Sequence, residues 1–137
     1  MVAATRREAR EHALSLAYEL EVRSIPIDEL LGSQPVAPDP YAALLVAGLA
    51  EHRPEIDELL ERYSEHWTLD RMPVIDRTLL RLAAFELVYR HEVPIAVVIS
   101  EAVELAKQYS TKDSGRFVNG LLSRIATEVR PEEESAS

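Results

Sequence analysis

The positions of prolines and capping residues divide this chain into a series of helices. The sequence contains eight Pro and only four Gly, and no run of alternating β-branched residues indicates a strand. Apolar residues instead recur at spacings of three and four, which is the periodicity of an amphipathic helix. The pattern predicts an all-α protein of seven helices.

The first two helices are predicted from short local signals. The sequence TRRE at 5–8 matches a capping box, so the first helix is expected to begin after Thr5 and to end near Val22. Pro26 then opens a short helix that ends near Gly32, because prolines favour helix starts and glycines follow helix ends. The segment GSQPVAPDP that follows is predicted to be a loop.

Five further helices are predicted along the rest of the chain. They begin at Pro40, Pro54, Pro73 and Pro94 and after the caps Asp113 and Ser114. A proline disfavours a helical conformation in the residue before it, so Pro54 either separates two helices or kinks one. We expect two small helical subdomains that share a core, at about 5–52 and 54–130, and a disordered acidic tail at 131–137.

The composition is that of a globular domain. A length of 137 residues suits a single domain, and 47% of the residues are apolar. The absence of Cys excludes disulfides, thiolate metal sites and cysteine nucleophiles, and it fits a reducing cytoplasm. No apolar stretch approaches the roughly 20 residues that span a bilayer, and the N-terminus lacks the apolar region of a signal peptide. We therefore expect a soluble cytoplasmic protein.

The net charge of −9 disfavours general attraction to nucleic acid, but the charge is unevenly distributed. Residues 24–80 carry four basic and eleven acidic side chains, and the tail from Pro131 carries three Glu. Residues 1–23 are balanced, with three Arg and one Glu among the first ten residues. Local surfaces that bind RNA are therefore compatible with the acidic total.

The sequence contains no pattern that indicates an enzyme. None of the four His lies four residues from another, and no acidic residue precedes a His by three positions, so the helical metal-binding patterns are missing. There is no glycine-rich phosphate loop, and nothing marks a nucleophilic triad. We expect no catalysis, no metal and no cofactor.

Two segments are candidates for binding RNA. Three arginines cluster at the start of the first helix, largely on the sides away from its apolar stripe, and arginine binds phosphate in a fork geometry. The segment from Tyr109 to Phe117 combines aromatic, cationic and hydroxyl groups at a helix start, which could hold a phosphate and stack unpaired bases. Each segment also has a structural interpretation. The arginine cluster could simply be a solubilising helix start, and the second segment could supply core anchors and a helix cap.

The chain resembles the bacterial NusB family from Arg6 to Arg130. The resemblance is carried by RREAREHALSLAYELEV, DRTLLRLAAFEL and VPIAVVISEAVELAKQYSTKDSGRFVNGLL, the last with the motifs I-x-E-A-V-E-L-A-K and D-S-x-x-F-V-N-G. It implies a NusB-like all-α bundle of two subdomains that acts in transcription antitermination without catalytic activity. It also implies binding to boxA-type single-stranded ribosomal RNA leader sequence together with the small-subunit ribosomal protein that acts as NusE. Other Nus factors and RNA polymerase would be indirect partners.

The resemblance also implies which residues make these contacts. The implied RNA-binding residues are Arg6, Arg7, Arg10, Tyr109, Asp113, Arg116 and Phe117. The implied partner-protein surface comprises Tyr18, Glu19, Val22, Asp70, Asp76 and Arg77. Glu8 stands where family members often have a third Arg, and its place in the capping box gives it a structural role.

Two hypotheses from different classes follow from the sequence. The first is an antitermination factor that binds RNA and the ribosomal protein. The second is a protein-interaction adaptor, or a homodimer, in which the arginine cluster is structural and RNA is not bound directly. An enzyme is a distant third hypothesis.

Overall fold

The structure is a computed structural model that describes residues 5–65 and 68–136. Within these ranges it contains seven α-helices, one 3-10 turn at Leu69–Arg71 and no strand. The helices are α1 (Arg6–Arg23), α2 (Ile27–Gly32), α3 (Pro40–Tyr63), α4 (Val74–Tyr89), α5 (Ile95–Tyr109), α6 (Ser114–Val129) and α7 (Pro131–Ala136). The all-α prediction is confirmed. Of the four histidines, His66 lies outside the described residues.

Helix α4 is the central element of the bundle. Every residue from Thr78 to Leu87 is buried, and α1, α3, α5 and α6 all pack against it. The cause is in the sequence, since TLLRLAAFEL is apolar on nearly every side and such a helix is stable only when other helices cover it. The remaining helices are therefore placed by the faces that they bury against α4.

Most predicted helix starts are confirmed. Thr5 and Glu8 form the reciprocal capping box, with both hydrogen bonds at 3.1 Å. Asp39 accepts hydrogen bonds from two backbone N–H groups in the first turn of α3. At α6 the prediction is wrong in one detail, because Asp113 makes no side-chain capping hydrogen bond. The Ser114 hydroxyl instead accepts from the Thr111 backbone N–H.

The third and fourth predicted helices form one kinked helix. Helix α3 continues through Pro54, and His52 leaves the helical conformation at φ −109° and ψ 16°. Pro54 has no N–H to bond the carbonyl one turn earlier, and its ring crowds that carbonyl, so the helix bends here. Of the two alternatives left open by the sequence, the kink is the one observed.

A close approach of α3 to α4 depends on a glycine. A Cβ atom at Gly48 would clash with the ring of Phe85 on α4, so no larger residue fits without a shift of that ring. The two helices pack closely along this contact. The absence of a side chain at position 48 therefore fixes how deeply Phe85 enters the core.

The chain end differs from the disorder predicted for 131–137. Residues 131–136 form α7, and Glu133 accepts a hydrogen bond of 2.8 Å from the backbone N–H of Ile95. A proline at the first helical position and glutamates in the first turn favour a helix start, which accounts for the helix observed here. Ser137 lies outside the described residues, and the division into two subdomains stays a prediction.

The side chain of Arg130 caps the C-terminal end of α4. This side chain is only 2% exposed, and its guanidinium donates four hydrogen bonds of 2.6–2.9 Å to backbone carbonyls. The accepting carbonyls belong to Glu86, Leu87, Arg90 and Val93. The last carbonyls of a helix have no partners within it, and here the end of α6 supplies the donor.

We expect Arg130→Met to lower the free energy of unfolding by about 2–4 kcal/mol, because buried carbonyls would lose their donor. Urea unfolding followed by circular dichroism measures the change. Arg124→Met on the same helix is the matched control, since Arg124 makes one exposed hydrogen bond to the Tyr63 carbonyl. Equal losses in the two variants would contradict a special role for Arg130.

Candidate nucleic-acid interface

The three arginines at the start of α1 occupy different environments. Arg6 and Arg7 are exposed, whereas Arg10 is 6% exposed and lies in the core. The prediction that Arg10 lies largely away from the apolar stripe of α1 is wrong. Residue 10 is one helical turn before the buried Ala13 and Leu14, so it lies on the edge of the buried face.

Arg10 is held in a buried network with Glu86 and Tyr41. Arg10 Nε and Nη2 donate to the two Glu86 carboxylate oxygens at 2.9 and 2.8 Å, and the Tyr41 hydroxyl donates to Glu86 Oε2 at 2.8 Å. Burial and the Glu86 carboxylate raise the pKa of Tyr41 to about 12. A buried carboxylate is tolerated when its lone pairs are satisfied in this way, so Arg10 serves the fold.

Arg6 lies over the outer face of the same tyrosine. Its guanidinium carbon is 3.8 Å from the centroid of the Tyr41 ring, within the range of a cation–π contact. The Arg6 side chain is exposed on its other side. Tyr41 thus links the buried Arg10 network to an arginine that solvent can reach.

Arg7 pairs with a carboxylate on α5. Its Nε and Nη2 donate to the two Glu101 oxygens at 2.8 and 3.2 Å, and its side chain remains 55% exposed. The pKa of Arg7 is raised by this hydrogen bond and by the charge of Glu101. Arg7 is therefore accessible but already bound within the protein.

Tyr109, at the end of α5, is oriented by a second residue of α1. Its hydroxyl donates to Glu11 Oε2 at 2.6 Å, and 45% of the residue is exposed. The hydrogen bond to Glu11 raises the pKa of Tyr109. The contacts of α5 with Arg7 and Glu11 bring the two predicted RNA-contacting segments to one side of the bundle.

The segment that leads into α6 lines an open cleft. Asp113 and Arg116 are exposed, and Phe117 is half-buried with its ring against the core. A cleft of about 320 Å³ lies here, lined by Met72, Pro73, Asp76, Thr111, Asp113, Ser114 and Phe117. Arg116 and Asp113 thus offer charged groups beside a half-buried aromatic ring.

The predicted partner-protein residues divide into exposed and internal groups. Tyr18 and Val22 are 42% and 62% exposed on α1, and Asp70 is exposed at the 3-10 turn. Glu19 is partly exposed and pairs with Arg23 at 2.7 Å.

Asp76 and Arg77 belong to the internal group. Asp76 is 3% exposed and accepts a hydrogen bond from Ser114 at 2.8 Å. Arg77 is half-buried and bonds Glu21 and the Leu69 carbonyl. Asp76 is therefore internal, whereas Arg77 reaches α1 through Glu21, the residue next to Val22.

Sequence reasoning missed the carboxylates that hold the candidate site. Glu86 lies inside the apolar run LAAFEL, and a charge in such a run signals a buried partner. Glu101 lies inside the I-x-E-A-V-E-L-A-K motif, yet nothing local in the sequence indicates a partner 94 residues away. Glu11 and Tyr41 likewise carry no local signal for their roles.

Within residues 5–65 and 68–136, no group of three or more metal-ligating side chains is placed to hold an ion. In the same part of the chain, no helix is both long and apolar enough to cross a bilayer.

We expect Arg10→Ala to lower the free energy of unfolding by about 3–5 kcal/mol, because Glu86 would keep a buried charge without its cation. Adding Glu86→Gln to that variant should recover part of the loss, since the uncompensated charge is then removed. Denaturant unfolding of the two variants and of Arg7→Ala, whose exposed pair should matter little, provides the comparison. A loss in Arg10→Ala no larger than in Arg7→Ala would show that the buried pair is not structural.

The chain was compared with protein families and individual relatives. Residues 7–127 match the sequence model of the NusB family. The transcription antitermination protein NusB of Salinispora arenicola is 50% identical over 128 residues, which cover 88% of this chain and 94% of that protein. The protein of the same name from Geobacillus kaustophilus is 46% identical over 124 residues, with 88% and 94% covered.

Solved structures give the same result for the fold. A crystal form of T. maritima NusB superposes with a TM-score of 0.87 at 35% identity and covers 98% of this chain and 99% of that one. A complex of the antitermination factors NusB and NusE with dsRNA superposes with a TM-score of 0.77 at 30% identity, with 90% and 96% covered. Since sequence and fold agree over nearly the whole length, the chain belongs to the NusB family.

Proposed function

We propose that this protein is a transcription antitermination factor that binds boxA-type single-stranded RNA together with the ribosomal protein acting as NusE. Family membership and the NusB–NusE–RNA complex among its structural relatives support the proposal. The observation that carries it is that exposed Arg7 and exposed Tyr109 both lie where α1 contacts α5 on an otherwise acidic chain. The complex would be loaded onto RNA polymerase with other Nus factors in the cytoplasm.

The RNA surface we propose has two parts. Arg6 and Arg7 would bind phosphates at the start of α1, since guanidinium groups match phosphate oxygens in a fork geometry. Tyr109 and Phe117 would stack on unpaired bases, while Asp113 and Arg116 would contact base edges or phosphates. Arg10 supports this surface from within, because it ties α1 to α4 and Tyr41, on which Arg6 lies.

The partner surface we propose lies at the opposite end of α1. Tyr18 and Val22 offer exposed apolar area, and Glu19 and Asp70 add negative charge nearby. This combination suits a basic ribosomal protein, in which a buried aromatic anchor supplies affinity and complementary charge directs association. Asp76 and Arg77 would act there by holding the start of α4 in place.

The adaptor hypothesis is favoured by a specific observation. Arg10 is buried and Arg7 is already paired, so the arginine cluster has structural roles without RNA. In that case the protein would bind the ribosomal partner, or a second copy of itself, and would not contact RNA directly. RNA titrations of the protein alone and with its partner separate the two hypotheses. Catalysis has no part in either.

We expect Arg7→Ala and Arg116→Ala each to weaken binding of boxA-type RNA by about three- to tenfold, with unfolding midpoints unchanged. Removing one phosphate contact should also lower the slope of log affinity against log salt by about 0.7. Fluorescence anisotropy at several salt concentrations measures both effects. Arg62→Ala is the control, because it removes one exposed arginine that pairs with Glu58 and Glu128. Equal affinities in all variants would exclude these residues from the RNA surface.

We expect Tyr18→Ala to weaken binding of the ribosomal partner by at least tenfold and to leave RNA affinity of the free protein unchanged. The reason is that Tyr18 supplies the apolar anchor of the proposed partner surface. Calorimetric titration with the purified ribosomal protein measures the loss. Val36→Ala provides the control, since Val36 is 79% exposed in the loop before α3. An unaltered partner affinity in Tyr18→Ala would move the partner surface elsewhere.

Binding of RNA and of the ribosomal partner should be mutually cooperative. The protein offers few accessible cations, so we expect weak RNA binding alone and tighter binding when the partner is present. By linkage, RNA must raise the affinity for the partner by the same factor. Titrations in both orders measure that factor, and a factor of one would rule out the cooperative scheme.

A further inference from the structure

Arg7 is bound within the protein in the geometry that a phosphate would use. Its Nε and Nη2 form parallel hydrogen bonds to the two oxygens of Glu101, at 2.8 and 3.2 Å. A phosphate binds arginine through the same pair of donors. A phosphate that binds the Nε–Nη2 face of Arg7 therefore displaces Glu101, and one that binds the outer Nη1–Nη2 face lies close to the Glu101 charge.

Glu101 is the more buried member of this pair. The Glu101 side chain is 18% exposed, whereas the Arg7 side chain is 55% exposed. Glu101 would therefore remain near any phosphate that approaches Arg7, and its charge would repel that phosphate. The free-energy cost of breaking the Arg7–Glu101 pair and the repulsion of the phosphate by Glu101 both weaken RNA binding.

Other carboxylates surround the same place. Glu104 and Glu11 add smaller contributions to the raised pKa of Arg7, after the hydrogen bond and charge of Glu101. Glu11 also accepts the hydrogen bond from the Tyr109 hydroxyl at 2.6 Å. Two side chains proposed to contact RNA are thus both held by carboxylates of the protein itself.

We propose that Glu101 is an internal competitor of RNA at Arg7 and limits the affinity of the free protein for every RNA. This inference rests on the proposed RNA contact of Arg7. A chain of phosphates alone gains little at this site, because it exchanges one anionic ligand of Arg7 for another. Stable binding then requires the further contacts of the segment from Tyr109 to Phe117 or the presence of the protein partner.

The variant Glu101→Gln tests this competition. Glutamine keeps the size of the side chain and an oxygen acceptor, so Arg7 stays near α5 while the competing charge is removed. The probes are a boxA-type RNA oligonucleotide and an oligouridine of equal length, titrated with the full-length protein. We expect both RNAs to bind about two- to fivefold more tightly, as the strength of partly exposed ion pairs suggests.

Glu104→Gln is the matched control on the same helix. It makes the same change in net charge, but the Glu104 side chain is 54% exposed and pairs with Lys107 at 3.7 Å. We expect it to change RNA affinity by less than about twofold. If Glu101→Gln and Glu104→Gln tighten binding equally, only net charge matters and the competition at Arg7 is disproved.

A double-variant cycle with Arg7→Ala separates the inference from the proposed function. The competition predicts that Glu101→Gln tightens binding in the native protein and has little effect once Arg7 is removed. If Arg7→Ala weakens binding and Glu101→Gln weakens it too or leaves it unchanged, Glu101 orients Arg7 for RNA and the competition is wrong. If Arg7→Ala has no effect on RNA binding, the proposed contact of Arg7 fails and this inference fails with it.

Discussion

The arrangement of the helices depends on the hydrogen bonds that the buried residue Glu86 accepts. Its side chain accepts hydrogen bonds from Arg10 on α1 and Tyr41 on α3, and its backbone carbonyl accepts one from Arg130 at the end of α6. Residues of α1 and α3 and the residue at the end of α6 therefore all contact one turn of α4. A buried ion pair contributes modest net stability compared with apolar packing, but losing one member is costly. The pair thus favours one register of α1 against α4 over any other packing of the same apolar faces.

This register determines what the start of α1 presents to solvent. Once Arg10 is drawn inward to Glu86, Arg7 and Glu11 face α5, where they meet Glu101 and Tyr109. Arg6 lies over Tyr41, itself fixed by Glu86. The candidate RNA surface is therefore an outer layer on a buried polar network. Substitution of the inner residues would alter RNA contacts only indirectly, through the position of the helix.

The helices could be predicted from the sequence because their signals are local. Capping residues, prolines and the spacing of apolar residues act within one or two turns, and they gave the starts of α1, α3, α4 and α5 closely. The kink in α3 was one of two open alternatives, since Pro54 breaks a hydrogen bond whether or not the helix continues. The helix at 131–136 differs from the predicted disorder because a proline at the first helical position and glutamates in the first turn favour a helix start.

The binding roles of the candidate residues stay predictions, and their contacts within the protein could not be predicted from the sequence. The family resemblance proposes RNA contacts at Arg7, Tyr109 and Arg116, which are exposed in the structure, whereas Arg10 and Asp76 are buried. The burial of Arg10 depends on a carboxylate 76 residues away, and that of Asp76 on a serine 38 residues away. Side-chain pairs at such separations leave no periodic trace in a single sequence, so only the folded structure reveals them.

The internal pairing of cations explains how so acidic a chain could bind RNA selectively. At least ten of the fifteen Lys and Arg lie within 4 Å of a carboxylate. Such pairs lower the positive potential around the paired cations, whereas Arg6 and Arg116 on the proposed RNA surface are exposed. Helix α1 separates this surface from the partner surface near Val22 by about 24 Å, at about 1.5 Å per residue. Because the Glu86 network fixes that helix, a partner bound at Val22 would extend the RNA surface from a set position, and cooperativity would need no change in the shape of this protein.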